Sequence, residues 1–383
     1  MKLRILCLLI AGAIALSGVV FAQNVPAQFV VTGKSAELIQ DFSTINLATA
    51  ESLASACEKA ATEQGVQVTV MVLDHAGNHI YMDRMDGQGY FNVITADMKA
   101  RTALVGREDS KIHMNAVIKN PYEEAHQIQL GFFANSGGLP IVINHQLIGA
   151  IGVGGSMPKV PVWSDEICGH KALEAVIGPV VPVPPLGEDI QRPPNPPGTV
   201  PVPKFASAAV PKTTLNPEWV VGGKGAANVF DANQISLAAA KKIGSVCRAW
   251  AASKGGIMSL YILDNAGEFV HMERMDGERY VNIHTALLKA QSALKSRQPT
   301  SIRAAQLKNN PDGVIRSVFL NDFYGTSGGL PIVVDGQMIG AIGVGGGAGG
   351  GDENCAMEGL KATFGDHVTL PEYPAKGAGA AGE

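Results

Sequence analysis

A glycine-rich stretch occurs twice in this 383-residue chain and constrains its architecture more than any other feature. The first copy, SGGLPIVINHQLIGAIGVGG, runs from Ser136 to Gly155, and the second, SGGLPIVVDGQMIGAIGVGG, runs from Ser327 to Gly346. Sixteen of the 20 paired positions are identical. Two copies this similar, 191 residues apart, predict one folding unit that is present twice.

The composition allows two packed cores and argues against a nucleic-acid partner. Hydrophobic residues make up 46% of the chain and charged residues 17%, so each repeat can bury a core. The formal net charge is −4, and this balance offers no basic field for a phosphate backbone. We therefore expect a small-molecule ligand or a protein partner and no nucleic acid.

The N-terminus has the pattern of a secretory signal. Lys2 and Arg4 precede an apolar run from Ile5 to Val20, and small residues at Val20 and Ala22 fit a cleavage site before residue 23. We expect residues 1–22 to be removed and the mature protein to be periplasmic or secreted, with no membrane span after cleavage. The alternative is an uncleaved anchor helix, for which the apolar run is short.

The cysteines of the mature chain also follow the duplication. Cys57 and Cys168 lie in the first repeat, and Cys247 and Cys355 lie at matching places in the second. In an oxidising compartment an even set suggests disulfides, and four cysteines allow three pairings. The duplication favours Cys57–Cys168 with Cys247–Cys355, and four buried free thiols are the alternative.

The order of predicted elements is the same in both repeats. Each repeat has a helix, a β-hairpin, a second helix, an ambiguous segment (108–135 in the first), the glycine-rich hairpin and a last helix. This order does not alternate as β-α-β, so it predicts an α+β unit in which helices pack on an antiparallel sheet. We place the units at 40–178 and 225–370.

A proline-rich segment separates the two units. Twelve of the 22 prolines lie between Pro179 and Pro217, and such a composition favours extended, exposed chain. We assign 179–224 as a semi-rigid linker and expect 371–383 to be a disordered tail.

Duplication is also a test for candidate sites, because a site built into the unit should occur in both repeats. The histidines fail this test: none has a histidine at the matching position. A histidine-based metal site common to both repeats is therefore not expected, and a ligand private to one repeat stays possible. Ser136 and Ser327 precede Gly-Gly, but neither lies in a GxSxG motif, and no duplicated histidine can serve as a base.

Several polar and sulfur-bearing residues do occur in both repeats. The RMDG motif supplies Arg84 and Arg274, which together with Lys99 and Lys289 can hold an anionic group such as a carboxylate. A purely structural alternative is that the Asp of the motif caps its own turn and pairs with the Arg. Methionine and tyrosine can both ligate haem iron, and methionines also serve simply in packing. The duplicated candidates of this kind are Met85, Tyr90, Met275 and Tyr280.

The duplicated glycines invite a phosphate-loop interpretation, which the pattern does not support. No GxxxxGK[ST] motif is present, and the glycines lie within and after strands. They are better explained by close approach of another backbone, a flat ligand or a neighbouring subunit to the sheet; packing alone is the simpler alternative.

Taken in order, these motifs resemble the GlcG/HbpS family of haem-binding and haem-degrading domains. The resemblance rests on the cysteine-bearing first helix, LDxAG at 73–77 and 263–267, RMDG at 84–87 and 274–277, and KAxxAL at 99–104 and 289–294. GGLPI and IGVGG then lead to DExC at 165–168 and 352–355. It covers nearly all of both repeats and none of the linker.

The resemblance implies a profilin-like α+β fold in each repeat and haem as the cofactor, with a corrinoid as the alternative. It implies an exported haem-binding protein that senses, stores or handles haem. The alternatives are an enzyme or accessory acting on haem or a small hydroxy acid, including peroxide-coupled haem degradation, and a non-catalytic assembly module. It also implies self-association, either between the two repeats or as a homo-oligomer. In the absence of a duplicated histidine, Met85, Tyr90, Met275 and Tyr280 are the expected ligands, with the Arg and Lys pairs near the propionates.

Overall fold

The computed structural model describes residues 44–144, 146–155, 163–178, 213–222, 233–308, 310, 313, 323–348 and 351–371. The predicted signal peptide, most of the predicted linker and nearly all of the predicted tail lie outside these residues. Within the described residues, no helix combines the length and apolar character needed to cross a membrane.

The first repeat begins with a helix and a hairpin, as the sequence predicted. Its elements are α1 (Leu47–Glu63), β1 (Thr69–Asp74), β2 (His79–Arg84), α2 (Phe91–Gly106), α3 (Ser110–Lys119), α4 (Glu123–Gln129), β3 (Gly138–Ile143), β4 (Gln146–Gly154) and α5 (Asp165–Val176). Side-chain oxygens cap the N-termini of two of these helices. Asn46 accepts from the Thr49 amide at the start of α1, and Ser164 accepts from the Ile167 amide at the start of α5. Helices α3 and α4 occupy most of the segment 108–135, which the sequence pattern left ambiguous.

The second repeat follows the same order. Its elements are α6 (Leu237–Ser253), β5 (Ser259–Asp264), β6 (Phe269–Arg274), α7 (Tyr280–Ser296), α8 (Thr300–Leu307), β7 (Gly329–Val334), β8 (Gln337–Gly345) and α9 (Asp352–Phe364), followed by a 3-10 turn at Gly365–His367.

The strands of both repeats form one continuous antiparallel sheet. Its order within the described residues is β3-β4-β1-β2-β6-β5-β8-β7. The repeats meet where β2 pairs with β6, with Tyr81 opposite Glu273, Met82 opposite Met272 and Asp83 opposite His271. Each of these strands would otherwise leave an unpaired edge, which their pairing removes.

Both faces of the sheet are covered by helices, which explains why the strands are apolar without alternation. Along β1, Val70 and Val72 join the core beneath α1 and α5, whereas Met71 and Leu73 point to the opposite face beneath α2. The core beneath α2 continues across the junction to α7 of the second repeat, because Met82, Met272 and Ile283 belong to the same buried cluster. The observed α+β fold, an antiparallel sheet flanked by helices, confirms the predicted fold class.

The duplicated glycines bring α2 and α7 close to the sheet. A Cβ atom at Gly152 would lie 2.0 Å from the Ala96 carbonyl oxygen, and one at Gly343 would lie 2.0 Å from that of Ala286. These positions therefore accept only glycine, for reasons of helix-on-sheet packing.

Disulfides join the first and last helices of each repeat. Cys57 on α1 is bonded to Cys168 on α5, with Cα atoms 5.0 Å apart, and Cys247 on α6 is bonded to Cys355 on α9. Each bond closes the layer of two helices on one face of the sheet.

Part of the predicted linker belongs to the core of the second repeat. Leu215 and Val220 are buried, and Val220 forms an antiparallel bridge with Ile235. The prediction of an exposed linker up to residue 224 is therefore wrong for 213–222, because apolar residues interrupt the proline pattern there and pack against α6 and α9.

Candidate functional site at the junction of the two repeats

Ionisable side chains are concentrated where the two repeats join. Asp83 and His271 face each other across the β2–β6 pair, and Tyr81 faces Glu273 one step along. All four are at most 1% exposed. Because charged groups are buried only when they are paired, this cluster must be held together by specific contacts from the covering helices.

Asp83 is the best-paired acid of the cluster. Its Oδ1 lies 2.5 Å from Nδ1 of His271, and its Oδ2 lies 2.8 Å from Nζ of Lys241 on α6. Lys241 also contacts Glu58 on α1 at 3.0 Å. One lysine thus lies between two carboxylates, one from each of two elements of the first repeat.

The matching contacts on the other side of the junction have their charges exchanged. Arg248 on α6 bonds Glu273 at 2.8 Å and Glu51 on α1 at 3.0 Å. In the repeat alignment, Arg248 stands where the first repeat has Glu58, and Lys241 stands where it has Glu51. The first helix is therefore acidic in one repeat and basic in the other, so the repeats complement each other as two identical units cannot.

Burial and unequal pairing change how these acids titrate. Burial, reinforced by the adjacent Asp83 carboxylate, raises the pKa of Glu58 to about 8 despite Lys241. Burial also acts to raise the pKa of Asp83, but His271 and Lys241 outweigh it and hold that pKa below its ordinary value. Glu58 thus keeps its proton at neutral pH while Asp83 is ionised.

A groove runs beside this cluster, between α1 and α6. Its volume is about 700 Å³, and Glu58, Lys59, Lys241 and Met85 all contribute to its wall. Apolar surface comes from Val66, Leu237 and Ala238. The groove therefore combines apolar walls, two lysines, a thioether and a carboxyl group that holds a proton, which is the composition of a small-molecule site.

The predicted arginines do not line this groove. Arg84 donates to Asp264 (2.6 Å), Glu268 (3.0 Å) and two backbone oxygens, and Arg274 donates to Asp74 (2.8 Å). Each arginine thus binds the first-hairpin turn of the other repeat. Because the guanidinium groups are already bound to these carboxylates, the arginines join the two repeats and are not available to a ligand.

The predicted lysines are also committed to the fold. Lys99 Nζ donates to Asp165 (2.7 Å) and the Val153 carbonyl, and Lys289 Nζ donates to Asp352 (2.7 Å) and the Val344 carbonyl. Both lysines are at most 5% exposed. They tie the second helix of each repeat to the N-terminus of its last helix and have no open path to a ligand carboxylate.

The predicted methionine and tyrosine ligands are separated by the sheet. Met85 and Met275 pack against the cores under α1 and α6. Tyr90 and Tyr280 pack against the core under α2 and α7, with Tyr90 edge-on to Phe269. Of these four, Met85 lines the groove, so the eight predicted residues do not form one site.

The aspartates of the RMDG motifs bind across the junction as well. Asp86 accepts from the Leu237 amide at 2.7 Å, and Asp276 accepts from the Leu47 amide at 2.8 Å. Each therefore satisfies a free amide at the N-terminus of the other repeat's first helix. The interpretation that this Asp caps its own turn and pairs with its own Arg is wrong, because the amide that each Asp binds and the acids that each Arg binds belong to the other repeat.

The residues of the central cluster are not duplicated, so the rule that a site should occur in both repeats excluded them. Glu58, Lys241, Asp83 and His271 all have different residues at their matching positions. At a twofold junction, each residue lies close to the matching residue of the other repeat, so an acid can pair with a base there only if the two repeats differ in sequence. The signal in the sequence was the replacement of an acid by a base at matching positions, as in Glu58 and Arg248.

Comparison with known proteins identifies the family. The family model described as "Haem degrading protein HbpS-like" matches residues 45–174 and again residues 235–361. Together these matches cover more than half of the chain, one per repeat. The chain therefore belongs to the HbpS-like family and contains two copies of its domain.

The relatives match this chain over about the length of one repeat. A 15.0 kDa protein from Citrobacter freundii, encoded between dhaT and dhaS, is 34% identical over 139 residues, which are 35% of this chain and 94% of that protein. GlcG of Escherichia coli K12 is 30% identical over 104 residues, 27% of this chain and 76% of GlcG. The crystal structure of Klebsiella pneumoniae ORFY is 32% identical and covers 39% of this chain and 98% of its own, with a TM-score of 0.33.

Proposed function

We propose that this protein binds haem in the groove between α1 and α6 and acts outside the cytoplasm in haem sensing, storage or handling. Membership of a family described by haem degradation supplies the ligand class. The observation that carries the proposal is the groove itself, because a predicted haem ligand, Met85, borders a volume of cofactor size there.

The residues of the groove fit haem. A volume of about 700 Å³ falls within the range of about 300–1,000 Å³ found for cofactor and drug-sized ligands. Met85 has a thioether, which is an accepted axial ligand; its sulfur accepts from the Val68 amide at 3.3 Å and would exchange that contact for iron. Val66 and Leu237 offer apolar contact for the porphyrin. Lys59 is exposed at the rim and suits a propionate. The chemistry that haem supplies when bound is its iron-centred redox chemistry.

We expect one haem per chain. At the positions that match the groove, Ala249 replaces Lys59, Arg248 replaces Glu58, and Glu51 replaces Lys241. The pseudo-equivalent surface beside Met275 therefore loses the rim cation and carries a different charge pattern. The repeats have specialised so that one junction groove is complete.

A haemin titration tests this proposal. Micromolar haemin added to the purified mature chain should shift the Soret band and saturate at one equivalent. Met85→Leu should weaken binding by about tenfold or more, the scale of losing one good contact, whereas the matched control Met275→Leu should change it by less than about twofold. No saturable shift, or equal effects of the two substitutions, would overturn the proposal. Binding of a corrinoid but not of haemin would assign the groove to the alternative cofactor.

A second candidate function is peroxide-coupled haem degradation. The observation that favours it is Glu58, a carboxyl group on the groove wall that keeps its proton at neutral pH and can therefore donate one. Loss of the haem spectrum in peroxide should be faster with the protein than with free haem, and Glu58→Gln should remove the difference while haem binding persists. If haem is lost at the same rate with and without the protein, the degradation proposal fails and haem binding alone is left.

Export and assembly are proposals of the same kind. N-terminal sequencing of protein recovered from the periplasm or medium should begin at residue 23, and an intact Met1 on membrane-associated protein would contradict cleavage. The two repeats already pair inside one chain; sedimentation of the mature chain decides whether chains associate further into a homo-oligomer.

A further inference from the structure

A second cluster of ionisable side chains lies in the first repeat, away from the junction. Asp109 precedes α3, and Glu166 and His170 stand one turn apart on α5. Their exposures are 5%, 2% and 4%. One atom from each, a carboxylate oxygen or a ring nitrogen, lies within 4.8 Å of the others.

The side chains of this cluster approach one another without satisfying one another. His170 Nε2 lies 3.6 Å from Glu166 Oε1 and 3.7 Å from Asp109 Oδ2, which is longer than a hydrogen bond. Among the residues that the structure describes, neither ring nitrogen of His170 has a hydrogen-bond partner, nor has Glu166 Oε2, although all three atoms are buried. Buried polar atoms in this condition are rare and costly, and they call for an explanation.

The separations suit a shared cation. Ligand bonds of about 2.0–2.2 Å at tetrahedral or octahedral angles place neighbouring ligand atoms roughly 3.0–3.6 Å apart. The distances from His170 are close to this range. Lys111 Nζ lies 3.9 Å from Glu166 Oε2, which is an ion pair longer than a hydrogen bond, and the neighbouring His113 contacts Glu108 at 3.2 Å.

The burial of the cluster also favours a cation. The Asp109 and Glu166 carboxylates both lie buried beside His170, and a divalent charge would offset the cost of burying two acidic groups together.

The second repeat provides an internal contrast. Pro299 and Met357 stand at the positions of Asp109 and His170. The remaining acid, Glu353, is fully engaged there: its carboxylate accepts from Ser301 at 2.7 Å and from Ser327 at 2.8 Å. The same fold thus satisfies this glutamate with hydroxyls in one repeat and leaves it with an unpartnered oxygen beside a histidine in the other.

We propose that Asp109, Glu166 and His170 bind one divalent first-row transition-metal ion in the first repeat alone. One imidazole and two carboxylates suit Mn²⁺, Fe²⁺, Co²⁺ or Zn²⁺, and the imidazole disfavours Mg²⁺ and Ca²⁺. The site is independent of the haem groove, because its residues lie on α5 and the start of α3, and none of them lines the groove.

The test uses Co²⁺ as the probe on the haem-free, tag-free mature chain. Co²⁺ should produce visible absorption bands that saturate at one equivalent, and Zn²⁺ should displace it. His170→Met, which installs the residue of the second repeat, and Asp109→Asn should each weaken binding by at least about 100-fold, the upper end of what loss of a supporting group costs. The control His126→Ala removes an exposed histidine on α4 and should bind like wild type.

Circular dichroism and melting curves establish that each variant is folded. If His170→Met does not fold, Asp109→Asn decides, because removing a charge from a buried acid relieves repulsion. The proposal is overturned if wild type binds no Co²⁺, if both ligand variants keep wild-type affinity, or if His126→Ala alone abolishes binding.

Discussion

Replacing Glu58 with glutamine should remove a large part of the pH dependence of folding between pH 4.5 and 8. The pKa of Glu58 rises from 4.5 to about 8 on folding, through burial and the nearby Asp83 carboxylate. Across this interval the folded protein keeps a proton that the unfolded chain releases. The stability contribution of this group is therefore fully present below pH 4.5 and is lost as the pH rises through about 8.

The magnitude follows from the two pKa values. One pKa unit corresponds to about 1.4 kcal/mol, so the interval from 4.5 to about 8 sets a ceiling of roughly 5 kcal/mol. Two features lower it: the Glu58 side chain is 15% exposed, and Lys241 lies 3.0 Å away. We expect wild type to lose about 2–3 kcal/mol more than Glu58→Gln between pH 5 and pH 8.

Urea unfolding at pH 5, 6, 7 and 8 measures this difference. Glu63→Gln is the matched control, because Glu63 is an exposed residue of the same helix, and its profile should parallel that of wild type. Asp109, whose pKa is raised to about 6, contributes equally to all three proteins and cancels. Parallel profiles for wild type and Glu58→Gln, within about 0.5 kcal/mol, would refute the assignment of a protonated Glu58 at the junction.

Three further predictions concern stability, and urea unfolding at pH 7 measures each. Gly152→Ala should cost about 3 kcal/mol or more because its Cβ would lie 2.0 Å from a backbone oxygen of α2; Gly89→Ala, with open space around it, should change little, and equal costs would contradict the packing argument. Asp86→Ala should cost about 1 kcal/mol by freeing the Leu237 amide, and Asp86→Asn should restore most of it; no loss in either would show that the cap is dispensable. Replacing Cys57 and Cys168 together by alanine should cost about 4 kcal/mol, since the bond closes a loop with a separation of 111 residues. Reductant should lower wild type by at least as much, because it also opens Cys247–Cys355; a loss in the variant with no loss in reduced wild type would mean that the cavities, not the bond, cause it.

The elements within each repeat were readable from the sequence because local rules determine them. Helix α9, for example, has the acidic residues Asp352 and Glu353 in its first turn and Gly365 at its C-terminal end. The hairpins occur in the predicted order in both repeats, because β-branched runs and glycine turns mark them. The segment that forms α3 and α4 was left ambiguous because these helices are short, 10 and 7 residues, and Pro121 lies between them.

The joining of the repeats into one sheet was not readable in this way. Strands β2 and β6 are each a short run that pairs on both sides, and nothing in their own periodicity says whether the outer edge is paired or exposed. The information lies in long-range partners such as Arg84 with Asp264 and Asp86 with the Leu237 amide. Arg84 and Asp86 are close in sequence and opposite in charge, so the sequence suggested that they pair with each other, whereas the structure pairs each with the other repeat.

The candidate site was only partly accessible from the sequence. Met85 was predicted and borders the groove. Arg84 and Lys99 were predicted for their charge, but that charge is neutralised by acids distant in sequence. The residues that distinguish the groove, Glu58 and Lys241, occur in one repeat each. A repeat alignment read for exchanged charge as well as for identity would have found them.

The location of iron in crystals grown with haemin tests the central claim most directly. Anomalous diffraction at the iron edge should show one strong peak per chain in the groove between α1 and α6, beside Met85. A peak on the opposite face of the sheet beside Tyr90 or Tyr280, or a pair of equal peaks related by the repeat symmetry, would contradict the account. So would well-ordered protein with an empty groove at saturating haemin.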